Sequence, residues 1–289
     1  MPLYFILSGL FFKSYGSCTN FITKKVNKIL IPFVFFYLVS YAIFYILRAV
    51  VPSLPLAEFH GIQDVFIQRT IFNSPIWFLL CLFWTSLLFD IIYSISQKEI
   101  VRFFGVIACA VIGYVLSKLR LYIPLCIDSA FTALPFYYIG YQLKRSNILF
   151  PNKYDRYNLV ISILLFALII VVTKFFNVKV DIHFNSLSPL SYIFSTIGVF
   201  SVLLFCKKLG RVPIISYIGR YSIIVLCVHH LVQRVAKYIV LMYLESNTLS
   251  NIIVFILTIT ISTLMIPLFI RYFPHVTAQK DVIKINDYK

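Results

Sequence analysis

The sequence predicts an all-α fold: a polytopic membrane bundle of about eight full crossings, preceded by a short N-terminal apolar helix. Three observations carry that expectation. Apolar residues fill 61% of the 289 positions and charged residues only 12%, whereas a soluble domain holds about 45–50% and about 25%. The apolar residues gather into runs near the ~20 residues that span hydrocarbon, separated by polar, basic loops. Aromatic residues reach 18%, which suits lipid-facing and interfacial surfaces.

The elements follow in order. Met1–Phe12 is apolar but too short to span by itself, and its Pro2 and Gly9 are tolerated in membrane helices. The basic stretch Phe21–Pro32 then leads into a first crossing near 30–50. Further crossings are expected near 76–95, 102–119, 127–143, 158–176, 189–206, 220–244 and 251–272. A polar tail runs from about His275. No internal repeat, Gly/Ser linker or low-complexity tract interrupts the chain, so 1–289 reads as a single membrane domain.

Lys and Arg sort unevenly between alternate loops. Eighteen fall on one side: Lys13, Lys24, Lys25, Lys28, Lys98, Arg102, Lys144, Arg145, Lys153, Arg156, Lys207, Lys208, Arg211, Arg220, Arg271, Lys280, Lys284 and Lys289. Six fall on the other (Arg48, Arg69, Lys118, Arg120, Lys174 and Lys179), and Arg234 and Lys237 lie inside a helix. The positive-inside rule makes the first side cytoplasmic. The C-terminus is therefore expected in the cytoplasm and the Glu58–Arg69 loop outside. In a soluble chain a net charge of +16 would point to nucleic acid. Here loop cations account for it, and the expected partner is the lipid bilayer.

The six cysteines form no CxxC pair and no zinc spacing, which argues against a disulfide framework and a metal site. Buried thiols acting as small hydrophobes fit their apolar settings. No basic region precedes the first apolar run, so it is not a signal peptide. No HExxH, P-loop, GxSxG or dinucleotide fingerprint occurs.

The run Gly219–His230 is the most informative segment. It enters an apolar crossing yet carries histidines, followed by Gln233, Arg234 and Lys237. Ionisable groups in hydrocarbon are costly and ordinarily face a cavity or a partner. At about 1.5 Å per residue, His229 lies near mid-membrane and Arg234 in the outer half. His230, Gln233, Arg234 and Lys237 fall at i, i+3, i+4 and i+7 and share a face, and Ser222 and His229, seven apart, stack on one side. A histidine here has the chemistry of a general base or of a hydrogen-bond partner for a substrate hydroxyl. The structural alternative is an interior polar network with Lys237 snorkelling outward.

Lys24, Lys25 and Lys28 form a second candidate, since lysines at a helix start can hold phosphates as point charges. Positive-inside charge or anionic-lipid contact is the plainer reading of them. Trp77 is expected to be an interfacial anchor. Arg48, Asp64 and Asp128 are expected as interfacial charges at outer helix ends. Asp90 has no evident partner in sequence, and the isolated loop histidines His60, His183 and His275 carry little weight.

Together these segments resemble the membrane-bound acyltransferase-3 family, including bacterial sugar and polysaccharide O-acetyltransferases. Met1-Pro2-Leu3-Tyr4-Phe5-Ile6-Leu7-Ser8-Gly9 is similar to that family's second-helix "MPLFFFISG" pattern. Lys25-x-x-Lys28-x-x-x-Pro32 resembles its basic RxxR-then-proline loop, with lysines for arginines. Trp77-Phe78-Leu79 resembles its "WFL" motif. Gly219, Ser222 and His229 keep the spacing of its late "GxxSxxIYLxH" helix. The four motifs lie in register over nearly the whole chain.

The resemblance implies transfer of an acyl group, commonly acetyl from acetyl-coenzyme A, to a hydroxyl of a sugar or lipid-linked glycan. The thioester is a substrate, and no bound cofactor is implied. It implies a bacterial inner-membrane setting, with Lys24, Lys25 and Lys28 holding donor phosphates and His229 and Arg234 in supporting catalytic roles. Ser222, His230 and Gln233 are further polar-path candidates. Members carry an arginine and an essential histidine base on a first membrane helix. The expectation from topology and motif order is that this chain lacks that helix, and a form without its base would be inactive. A polysaccharide transporter or flippase is the alternative class, separated from the enzyme by the absence of coenzyme A release. Acceptor identity and oligomeric state are left open.

Overall fold

In a computed structural model of the chain, the described residues are 1–50, 63–67, 73–146, 157–176, 180, 182 and 187–284. They are helical, with no strand among them. The helices are α1 (Pro2–Leu10), α2 (Cys18–Lys25), α3 (Ile31–Val50), α4 (Asp64–Ile67), α5 (Trp77–Ile95) and α6 (Glu99–Lys118). They continue as α7 (Ile127–Arg145), α8 (Asn158–Phe176), α9 (Pro189–Leu209), α10 (Pro213–Arg220), α11 (Ser222–Tyr243) and α12 (Thr248–Tyr272). Each expected crossing coincides with one of these helices. Among the described residues, seven helical spans are long and apolar enough to cross a membrane.

The eighth expected crossing, α7, is absent from those seven for a physical reason. It buries Asp128, Ser129 and Thr132 as well as Leu134 and Phe136. A helix enclosed by protein can carry polar side chains that a lipid-facing one excludes. By contrast, α8 exposes Ile163, Leu164 and Phe166, each more than half accessible. A hydrocarbon surrounding is what makes such a surface tenable. Most of the Glu58–Arg69 loop, with His60, His183, Lys153, Arg156, Lys179 and Lys289, lies outside the described residues.

The chain divides into two compact units. The first comprises Met1–Phe21 and Cys81–Val212. Here α1, nine residues and thus about 14 Å long, lays Phe5, Ile6 and Gly9 on α7. The approach is so close that a Cβ on Gly9 would strike the Tyr137 carbonyl, and one on Gly140 the Ile6 carbonyl. Small residues at such crossings let backbones meet. Below them Phe12, Phe89, Tyr93 and Tyr141 pack edge to face or tilted. Arg102, expected as a loop cation, is buried in the first turn of α6. Its guanidinium lies 3.9 Å from the Tyr93 ring centroid and donates to Glu99 at 2.6 Å and to Tyr141 at 3.1 Å. Farther along, Ser162 and Ser201 donate to each other's backbone carbonyls at 2.9 Å, joining α8 to α9.

The second unit comprises Ile22–Leu80 and Pro213–Lys289. Between α2 and α3 the backbone widens into one π-helical stretch, Val26–Leu30. Pro32 has no N–H to continue a regular ladder there, and such bulges recur at functional positions. Asn73 is fully buried and ties α3 to α11, donating to Ser40 Oγ at 3.1 Å and to the Cys227 carbonyl at 2.6 Å. Helix α12 starts on a capping box between Asn247 and Ser250, then packs along α11.

Candidate functional site

Helix α11 places His229 about two turns from its start. The ring Nδ1 lies 2.9 Å from the Val225 carbonyl oxygen, one turn back. A carbonyl only accepts, so Nδ1 carries the hydrogen and Nε2 of the neutral ring is an acceptor. That is the tautomer a hydroxyl-activating or hydroxyl-orienting histidine needs.

His229 lines a cavity of about 370 Å³ formed by α10, α11 and α12. Its walls are mostly apolar, with Ile218, Val225, Phe255 and Ile259 among them. Four more polar residues converge there: Gln233, Thr258, Ser262 and Thr263. The Thr258 hydroxyl is spent on the Val254 carbonyl at 2.7 Å. Ser262 is different, being fully buried with no hydrogen-bond partner for its Oγ among the described residues. An unmet buried hydroxyl costs about 1–3 kcal/mol. An apolar cavity with a few convergent polar groups is the usual form of a small-ligand site.

The other polar residues of α11 are distributed differently from the single face expected of them. Gln233 joins His229 at the cavity, but Arg234 lines a separate apolar groove of about 470 Å³ between α3, α11 and α12. One residue advances a helix by roughly 100°, enough to send neighbours 233 and 234 to different grooves. Lys237 is exposed. His230 is half-buried, its ring centroid 6.5 Å from that of His229, and it does not line the cavity. Ser222 is the first residue of α11 and is likewise not a lining residue. Among the described residues, nothing packs against Gly219 closely enough to require a glycine.

The basic segment is built around the π-helical stretch. Lys24 and Lys28 both reach Asp281 of the polar tail, at 2.9 Å each. Lys28 also donates to the Ala278 carbonyl at 2.7 Å. Between them, fully buried Asn27 accepts from the Val282 and Ile283 amides at 3.1 and 2.9 Å and donates to the Ile283 carbonyl at 2.7 Å. The Lys24 and Lys28 hydrogen bonds hold the Asp281 carboxyl below its ordinary range. Lys25 is half-buried on the same segment. Lys24 and Lys28 thus flank a position where an anion already sits.

Three expectations about isolated residues need correction. Trp77 is buried together with Phe78 and Leu79, so it packs inside the protein and does not anchor at an interface. Asp64 and Asp128 are also buried, each engaged by a neighbour, where interfacial charges were expected. A carboxylate is tolerated in such a place only when other groups compensate it. Asp90 is buried and engaged as well. Sequence reasoning missed Ser262, Asn27 and Asp281. Ser262 is one hydroxyl in an apolar run, and small hydroxyls are common in membrane helices. Asp281 had a faint signal, as an acid set in a basic tail.

A family model described as an acyltransferase domain matches residues 1–267 of the chain. No curated protein matches it, and no solved structure does.

Proposed function

Because the chain belongs to the acyltransferase-3 family of membrane proteins, we propose that it moves an acetyl group from acetyl-coenzyme A to a sugar or cell-surface polysaccharide hydroxyl. Acyl transfer is what the family provides; this donor and this acceptor are the proposal. The observation that carries it is the His229 cavity, lined both by a ring whose acceptor nitrogen is fixed and by buried Ser262, whose hydroxyl has no partner among the described residues.

In the reaction the acceptor oxygen attacks the thioester carbonyl carbon, the C–S bond breaks, and the hydroxyl proton ends on the coenzyme A sulfur. His229 Nε2 takes a hydrogen bond from the acceptor hydroxyl and orients it, a supporting part in the transfer. Gln233, Ser262 and the two threonines Thr258 and Thr263 are the remaining polar residues of a cavity with no charged group in its lining, which favours a small, hydroxylated group over a charged one. Arg234 faces the other groove and is given no part at the reacting carbonyl.

Lys24, Lys25 and Lys28 hold the donor phosphates. A phosphate accepts charge-assisted hydrogen bonds from ammonium groups, as the Asp281 carboxylate does now. The setting proposed is a bacterial inner membrane, with the lysine segment and the C-terminal tail on the cytoplasmic side, where coenzyme A thioesters are made.

Membranes carrying the protein, expressed from its complete gene, are expected to release coenzyme A thiol from acetyl-coenzyme A only when a glycan acceptor is added. Thiol release equal to that of empty membranes, across a panel of glycans, would remove the proposal.

A further inference from the structure

We propose that residues 278–283 form a displaceable strap, in which Asp281 occupies the phosphate position of the Lys24–Lys28 pair and competes with the phosphate-bearing donor. The inference rests on the donor reading of those lysines.

The strap is built, not draped. After α12 the chain folds back through Thr277, fully buried, whose hydroxyl donates to the Phe273 carbonyl at 2.9 Å. The Gln279 and Lys280 amides both donate to the Pro274 carbonyl at 3.0 Å. Ala278 adopts a left-handed backbone, φ 62°, at the turn. That conformation is unfavourable for a residue with a Cβ and persists where surrounding contacts impose it. Asn27 then spends its side-chain amide on Val282 and Ile283, and Asp281 falls between the two ammonium groups.

Two features make the contact reversible. Lys24, Lys28 and Asp281 each keep about a third of their side-chain surface accessible, at 27%, 32% and 33%, and ion pairs so exposed are weak. The competing ligand is also stronger in kind. Coenzyme A carries a 3′-phosphate and a pyrophosphate, with more charge and more acceptor oxygens than one carboxylate. Once that charge is displaced, only the Asn27 side chain still holds the Val282 and Ile283 backbone, and those amides open more often.

The test is coenzyme A binding to the detergent-solubilised full chain by calorimetry, with hydrogen exchange of the segment 278–284. Asp281→Ala and Asp281→Asn are expected to tighten binding by about two- to five-fold, the range an exposed ion pair supports. Coenzyme A is expected to raise exchange at Val282 and Ile283 in the unaltered protein. Lys24→Ala and Lys28→Ala should weaken binding. Unchanged or weaker binding in both Asp281 variants, with the lysine variants still impaired, overturns the strap and leaves the donor site standing. Unimpaired binding in both lysine variants overturns the donor site itself.

Discussion

His229 donates from Nδ1 to the Val225 carbonyl at 2.9 Å, and this single bond decides which ring nitrogen can serve a substrate. The bond uses the local helix and needs no second residue from elsewhere in the chain. It therefore survives in any state in which this part of α11 stays helical. His229→Ala is expected to lower kcat by about a hundred-fold, the lower end of the range for a positioned proton partner. His229→Gln, which keeps a side-chain acceptor, should recover part of the loss. Donor KM should hardly move in either variant, because the phosphates bind elsewhere. Steady-state kinetics with acetyl-coenzyme A checks the split.

The lysines are expected to show the opposite pattern. Lys24→Ala, Lys25→Ala and Lys28→Ala should each raise donor KM, by roughly ten-fold where one charge-assisted hydrogen bond is lost. Turnover at saturating donor should stay close to that of the parent protein. Unchanged donor KM in all three would withdraw phosphate binding from this segment.

In the first unit, Gly140 allows α7 to pass the α1 backbone, and nothing larger fits there. A Cβ would meet the Ile6 carbonyl, an obstacle no rotamer change can clear. Gly140→Ala is expected to destabilise the protein by about 1–3 kcal/mol or more. A lowered thermal transition in detergent would show it. Gly219→Ala, where a Cβ meets open space, should leave that transition in place.

The tail contact carries a pH signature. The Lys24 and Lys28 hydrogen bonds lower the Asp281 pKa in the folded state, so the ionised form is the one that holds the strap. Its contribution is full above the ordinary aspartate value of about 3.9 and disappears as pH falls through the lowered folded value. Hydrogen-exchange protection at Val282 and Ile283, corrected for intrinsic rates, should be flat from about pH 5 to 8. It should drop only in the acid range below about pH 4. A decline centred near neutrality would point to a different titrating group.

Much of the fold was legible because hydrocarbon is an unforgiving solvent. Every backbone group must be satisfied within a helix, so a run of about 20 apolar residues leaves few alternatives. Thus Ser222–Tyr243 and Thr248–Tyr272 fall close to the expected 220–244 and 251–272. Partners distant in sequence were not legible. Asn73 meets Cys227 and Asn27 meets Ile283 through contacts that no local pattern records. The start of α7 was legible at 127, but the turn leading into it was hidden for another reason. Leu125 and Cys126 take left-handed backbones, φ 63° and 59°, without the glycine that usually marks one.

The candidate site was read in part. His229 was found as a polar residue in hydrocarbon, and its helix and register followed from spacing. The division of Gln233 from Arg234 was not, because it depends on where α3 and α12 lie around α11. A helical face defined by i, i+3 and i+4 is wide enough to touch two cavities at once. Ser262 became visible only when its hydroxyl proved to lack a partner.

The most direct measurement is mass analysis of a glycan acceptor after incubation with isotopically labelled acetyl-coenzyme A and membranes carrying the protein. The expected result is a labelled acetyl ester on the glycan, formed with coenzyme A release and reduced in the His229→Ala variant. Glycan crossing the membrane unmodified, with the thioester intact, would contradict acetyl transfer and support a transporter in its place.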